Sequence, residues 1–153
     1  MVIKLKTKKS GTVDINEKQI IDFPEGILGF DYIKKFVLLD TEDPASPLKW
    51  MQAIDEPDLA FIVIRPADFM EQYELVISQN DLRVVRASRP DELVVFSIVT
   101  IPSDPAEMTA NLQGPIIINP SERIGKQAIL LTDRYGVKHR ILDELRRSSG
   151  TEG

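Results

Sequence analysis

Reactive chemistry in this chain would have to come from oxygen and nitrogen, because its 153 residues include no cysteine and a single histidine, His139. Thiol catalysis, thiolate zinc sites and disulfides are excluded at once. A nucleophilic triad would need His139 beside a serine and an acid, and a metal site would need carboxylates around that one imidazole; neither occurs at motif spacing. Its neighbours Lys138 and Arg140 instead suggest an exposed basic segment. The 24 acids could supply the paired carboxylates of glycoside chemistry, which requires two across a cleft at defined separation. Yet Asp55, Glu56 and Asp58 surround Pro57 and read most simply as turn residues. No catalytic residue, metal ligand or cofactor site is assigned.

Phosphate and nucleic-acid chemistry fare no better. Gly26 and Gly29 in FPEGILGF lack the lysine and the strand-to-helix setting of a phosphate loop. They are expected to shape a turn that folds Phe23, Ile27, Leu28 and Phe30 back onto the core. Arg83, Arg86 and Arg89 have no interleaved aromatic platform on which bases could stack, so direct nucleic-acid binding is not expected. Trp50 opens a strand, where its large amphipathic ring would either plug a barrel end, the favoured reading, or anchor a partner.

What the composition does offer is charge arranged in blocks. Between Asp40 and Glu74 nine acids face only Lys49 and Arg65, within a chain of net charge −5. Lysines cluster at the start (Lys4, Lys6, Lys8, Lys9), and basic residues return from Arg123 to Arg147. An acidic block repels phosphate backbones and attracts basic protein surfaces, with association weakening as salt rises. Asp55, Glu56, Asp58, Asp68, Glu71 and Glu74 are the candidates for such a contact.

A second candidate surface is MTANLQGPIIIN, Met108–Asn119. Asp104 is placed to cap a short helical turn, with Pro105 at its first position and Glu107 reaching back. Gly114 is expected to permit a turn that other residues resist, after which Ile116, Ile117 and Ile118 read as a strand buried on both faces. Met108 and Leu112 would be apolar contacts, rimmed by the hydrogen-bonding groups of Thr109, Asn111 and Gln113.

The elements that must position these residues are mostly short strands. Val2–Thr7 alternates as a half-exposed strand, its lysines discouraging edge pairing. Ile20–Phe23, Phe36–Asp40, Trp50–Ile54, Ala60–Ile64, Tyr73–Ser78, Leu93–Ile101, Pro115–Asn119 and Gln127–Leu131 are rich in β-branched and aromatic residues and separated by turn formers. Such a series predicts a mainly β fold, a single-domain antiparallel barrel or sandwich with a few short helices. Helical turns are expected after Asp104, from a Ser78 or Asn80 cap through Asp81 to Val85, and over Ile141–Arg147. One domain over 1–147 and a frayed tail at 148–153 complete the expected organisation. No apolar run approaches the ~20 residues needed to span a bilayer, so a cytoplasmic protein without membrane contact is expected, and the lysines that blunt the first strand's edge predict a monomer.

Four segments, in order, resemble the bacterial flagellar assembly factor (FliW) family: IIDFPEGILGF (Ile20–Phe30), WMQAIDEPDLAF (Trp50–Phe61), SIVTIP (Ser97–Pro102) and MTANLQGPIIIN. The resemblance covers about Met1 to Leu142, with Met51 and Ala53 standing where the family often has Leu and Ser. It implies a non-enzymatic cytoplasmic protein that binds flagellin and also the carbon storage regulator, a small basic RNA-binding dimer that represses flagellin translation. The acidic block would then face the regulator, and the Met108–Gln113 corner the amphipathic helical ends of flagellin. Two other classes predict different interiors: a small-ligand barrel requires an open apolar cavity, and a carboxylate hydrolase requires two convergent acids.

Overall fold

The computed structural model describes residues 1–149. β1 (Val2–Lys6) and β2 (Thr12–Asn16) form an antiparallel hairpin turned at Gly11, whose φ is +65°. The chain continues through β3 (Ile21–Asp22), β4 (Lys35–Asp40), β5 (Lys49–Ala53), β6 (Ala60–Ile64) and α1 (Gln79–Val84). It then forms β7 (Val94–Thr100), β8 (Thr109–Ala110), β9 (Ile116–Asn119), β10 (Ile124–Gln127), β11 (His139–Arg140) and α2 (Ile141–Ser149). Seven strands, in the order β7-β6-β5-β4-β3-β10-β9, close into a barrel when β9 pairs back onto β7, while β8 and β11 extend outward from β7.

The mainly β fold with short helices is as the strand pattern predicts, with one topological difference. β3 and β10 run parallel, Asp22 opposite Ile124, where an all-antiparallel barrel is expected. The closure is tight because Phe23 lies across β10 at Gly125, where an added Cβ would stand 2.6 Å from the Phe23 ring. Any side chain there would push the ring out of the interior.

Strand alternation sorts the remaining core. Phe36, Met51, Ala53, Val63, Phe96, Ile116 and Ile118 point into the barrel, and Phe23 meets Phe36 edge to face at 5.1 Å. Val37 on the outer side of β4 is covered by Leu5 and Ile15 of the β1–β2 hairpin. Ile117 and Ile124 pack against Val85 behind α1, and Ile64 and Val99 are covered by Ala110, Leu112, Leu130, Tyr135 and Ile141. The triple isoleucine of β9 is therefore buried on both faces, as expected. Trp50 neighbours the inward Met51 in β5 and sits opposite Leu39 and Ile62, so its half-buried ring lies on the barrel's outer face and plugs no end.

Three other expectations shift. Tyr73–Ser78 joins no ladder, and Gln127–Leu131 overlaps a strand that lies three residues earlier, at Ile124–Gln127. After Asp104 there is one 3-10 turn, Pro105–Glu107, in which Asp104 accepts from the Ala106 N–H at 3.0 Å while Glu107 stays exposed. Ser78 caps α1 in a reciprocal box with Asp81. α2 begins where expected and runs to Ser149, into the segment expected to fray; residues 150–153 of that segment lie outside the described residues.

Candidate docking surface

The most exposed large apolar side chain with a fixed backbone belongs to a turn. Ile27 and Phe30 exchange backbone hydrogen bonds across Leu28 and Gly29, and Gly29 takes φ +88° at the third position, the type II pattern. Gly26 before it has φ +67°, and a Cβ there would lie 2.5 Å from the Asp31 Cα, so no other residue fits. Phe23 and Ile27 are buried, as the apolar pattern predicts, and Phe30 is half-buried. Leu28 does not fold back: it is 78% exposed at the tip. A turn of two residues between bonded partners leaves no room for every side chain to point inward.

Two adjacent residues of β10 hold this turn. Gln127 accepts from the Leu28 N–H at 3.0 Å through Oε1 and donates to the Gly114 carbonyl at 3.0 Å through Nε2. It thus ties the FPEGILGF segment to the MTANLQGPIIIN corner. Lys126 Nζ, largely buried, lies 2.6 Å from Glu25 and 3.3 Å from Asp81. Burial opposes its charge, but the hydrogen bonds and attraction of the two carboxylates outweigh that penalty and its pKa stands above the ordinary lysine value.

The corner itself is mostly structural. Leu112 is 0% exposed and anchors the outer core, so the expectation that it meets a partner is corrected: no side chain from outside reaches it. Asn111 Oδ1 accepts from the Gln113 and Gly114 amides, 3.1 and 2.9 Å, an Asx turn that uses up the acceptor. Gly114 does not take a positive φ; it is small because Gln127 and Asn111 approach within 3.2 and 3.3 Å of where a Cβ would be. Met108 packs half-buried on the outer core, Thr109 is half-buried in β8, and Gln113 donates to the Leu130 carbonyl at 3.2 Å. Tyr73 braces the corner by donating to the Leu112 carbonyl at 2.7 Å, with its ring 4.8 Å from that of Tyr135. Burial, reinforced by Tyr135, raises the Tyr73 hydroxyl above the ordinary tyrosine value.

The acidic candidates divide into two trios. Asp55, Glu56 and Asp58 precede β6, and Asp68, Glu71 and Glu74 follow it, so the strand separates them by about 16 Å. Asp68 is paired with Arg65 and Glu74 with Arg134. Among the described residues, Asp55, Glu56 and Asp58 are exposed and form no ion pair within 4.0 Å. Their turn is held from below by Gln52, which is buried and whose Nε2 lies 3.0–3.4 Å from the carbonyls of Ala53, Glu56, Pro57 and Leu59. Gln52 Oε1 accepts from the Lys8 N–H at 3.0 Å, which fastens the same turn to the β1–β2 hairpin. Sequence reasoning passed over Gln52 and Gln127; for Gln52, its place as the one hydrogen-bonding side chain among Met51, Ala53 and Ile54 was the available signal.

Among the described residues, the lone imidazole and the two buried acids are engaged in structural contacts. His139 is not a free basic residue, since its Nδ1 lies 3.0 Å from Glu144 and its Nε2 accepts from the Gly136 N–H at 2.7 Å. The buried acids Asp81 and Glu144 each face a basic partner, Lys126 and His139. Among the described residues no group of three or more His, Asp and Glu is placed to hold a metal, and no helix is long and apolar enough to cross a membrane. The interior that a ligand barrel would leave open is occupied by Phe23, Phe36, Met51 and Phe96.

Comparison with known proteins decides the family. The sequence profile described as FliW protein matches residues 4–141. The flagellar assembly factor FliW of Leptospira biflexa serovar Patoc is 41% identical over 150 residues, 97% of each chain. This chain belongs to the FliW family. The FliW of Treponema denticola is 43% identical over 143 residues, covering 94% of this chain and 96% of its own. A crystal structure of the flagellar assembly factor FliW superposes with a TM-score of 0.84 at 37% identity, over 91% of this chain and 96% of that one. Two FliW-like segments far apart in sequence, around Leu28 and around Gly114, thus meet at one residue, Gln127.

Proposed function

We propose that this FliW-family chain is a cytoplasmic, non-enzymatic partner switch, monomeric when free, which binds unexported flagellin and, when flagellin is absent, binds the carbon storage regulator and draws it from flagellin messenger RNA. The observation that carries the reading is the match to flagellar assembly factors across nearly the whole chain. A packed interior leaves the exterior as the working part. The regulator, being basic, is assigned to the acids, above all Asp55, Glu56 and Asp58, which are exposed and, among the described residues, form no ion pair within 4.0 Å. Their fixed turn spares the entropy of ordering on association. Asp68, Glu71 and Glu74 would add long-range attraction. Flagellin is assigned to the side of the Met108–Gln113 corner, where Asn111 and Thr109 offer a polar rim.

Sequential titration calorimetry tests this reading. Purified flagellin and purified regulator should each bind, the second more weakly when the first is already bound. Neutralising the turn with Asp55→Asn, Glu56→Gln and Asp58→Asn together should weaken the regulator roughly tenfold at low salt, and less at high salt. Unchanged regulator affinity would remove the turn from the interface, and failure to bind either protein would end the proposal.

A further inference from the structure

Leu28 is not the only large apolar side chain exposed on its side of the molecule. Ile129 and Val137, which line the hollows beside it, are 55% and 58% exposed. Leu28 forms a ridge between two hollows. One, of about 360 Å³, is lined by Ile129 and Asp31, and the other, of about 340 Å³, by Val137, Asn111 and Lys138; Ile27, Leu28 and Gln127 border both. A contiguous apolar face with a polar rim is the mark of a protein-binding surface.

The backbone beneath it narrows the choice of partner. Ala128, Leu130 and Leu131 already donate to the carbonyls of Pro115, Gln113 and Val76. An added strand would find these amides taken, so recognition falls to side chains, as when an amphipathic helix lies in a groove. Charge then sets a direction. Asp31 borders one hollow and Lys138 the other, and among the described residues neither has an ion-pair partner within 4.0 Å. A helix carries partial positive charge at its N-terminus and negative charge at its C-terminus.

We propose that this face receives one amphipathic helix of a protein partner, with apolar residues seated in the hollows on either side of Leu28, its N-terminal end over Asp31 and its C-terminal end over Lys138. The inference rests on the reading of the chain as a flagellin-binding module and extends its contact surface from Asn111 to the Leu28 turn. Leu28 is the central knob, held by Gly26, Gly29 and Gln127 so that it need not be ordered on binding. Leu28 and Val137 are exposed, so their replacement leaves the core intact.

The probe is unassembled flagellin, titrated into the full chain at about 0.1 M salt. Leu28→Asp and Val137→Asp should each weaken binding by roughly tenfold to a hundredfold without changing the melting temperature appreciably. Asp31→Lys and Lys138→Glu should each weaken it a few fold, an effect that fades with salt. Flagellin affinity that survives both aspartates overturns the inference alone. A wild-type chain that binds no flagellin sinks the functional reading and this inference together. Wild-type dimers that Leu28→Asp converts to monomers would show that a second copy covers the face, which also overturns it.

Discussion

The Leu28 turn and the Leu112 corner look alike in sequence: each sets a leucine one or two residues before a glycine, beside a strand. Their fates are opposite. Leu112 is wholly buried beneath β8 and the Tyr135 ring, whereas Leu28 stands in solvent. The difference is set by what each turn hydrogen-bonds to. At the corner, the Leu112 and Gln113 amides both donate to the Gly136 carbonyl and Tyr73 takes the Leu112 carbonyl, which folds other chain segments over the side chain. At the turn, Ile27 and Phe30 bond to each other and only the Leu28 amide is claimed from outside, so nothing covers the tip. A leucine beside a glycine is read as contact or core only once its covering segments are known.

Four substitutions would break or sharpen that contrast. Leu112→Ala should be the most damaging, lowering unfolding free energy by about 4 kcal/mol in urea titration, since it opens a cavity in a fully packed site. A cost below about 1 kcal/mol would mean that the corner is looser than described. Gly26→Ala should cost roughly 3 kcal/mol by forcing a side chain into a positive φ and against the Asp31 backbone. Tyr73→Phe should cost about 1–2 kcal/mol by stranding the Leu112 carbonyl. Leu28→Ser should change stability by less than about 0.5 kcal/mol, because it removes only exposed surface.

The Tyr73 variant also carries a pH test. Tyr73 and Lys126 both have raised folded-state pKa values, so each binds its proton more tightly when folded than when unfolded. Their contribution is fully present below the unfolded values, about 10, and is lost as pH climbs through the folded ones. Melting temperature should therefore fall steeply above about pH 10. Tyr73→Phe should flatten part of that fall, and an unchanged alkaline slope would deny Tyr73 its share.

Much of the barrel was legible in the alternation and turn residues: β6 is Ala60–Ile64 as expected, and β1, β4, β5, β7 and β9 match within one or two residues at their ends. β2 escaped because Thr12–Asn16 offers only Val13 and Ile15 between polar residues, and its order depends on the packing of β1. β8 and β11 are two residues each and exist only by pairing with one another and with β7, so no local pattern announces them. Tyr73–Ser78 has strand-forming residues but spends its polar groups on Tyr135 and Leu131. The surface was less legible than the fold. Acidic residues counted along the chain formed one block, yet β6 carries them to separate ends, and the glutamines that tie segments together have partners up to 99 positions away.

The parallel seam between β3 and β10 has a consequence for synthesis. Position 22 must wait for position 124, so a nascent chain emerging from the ribosome cannot shut its cylinder until most of the polypeptide has been made. Until then Phe23 and Phe36 lack their lid, and the unfinished chain is at its most vulnerable to aggregation and proteolysis. Truncation before β10 should leave a sticky fragment rather than a smaller folded one.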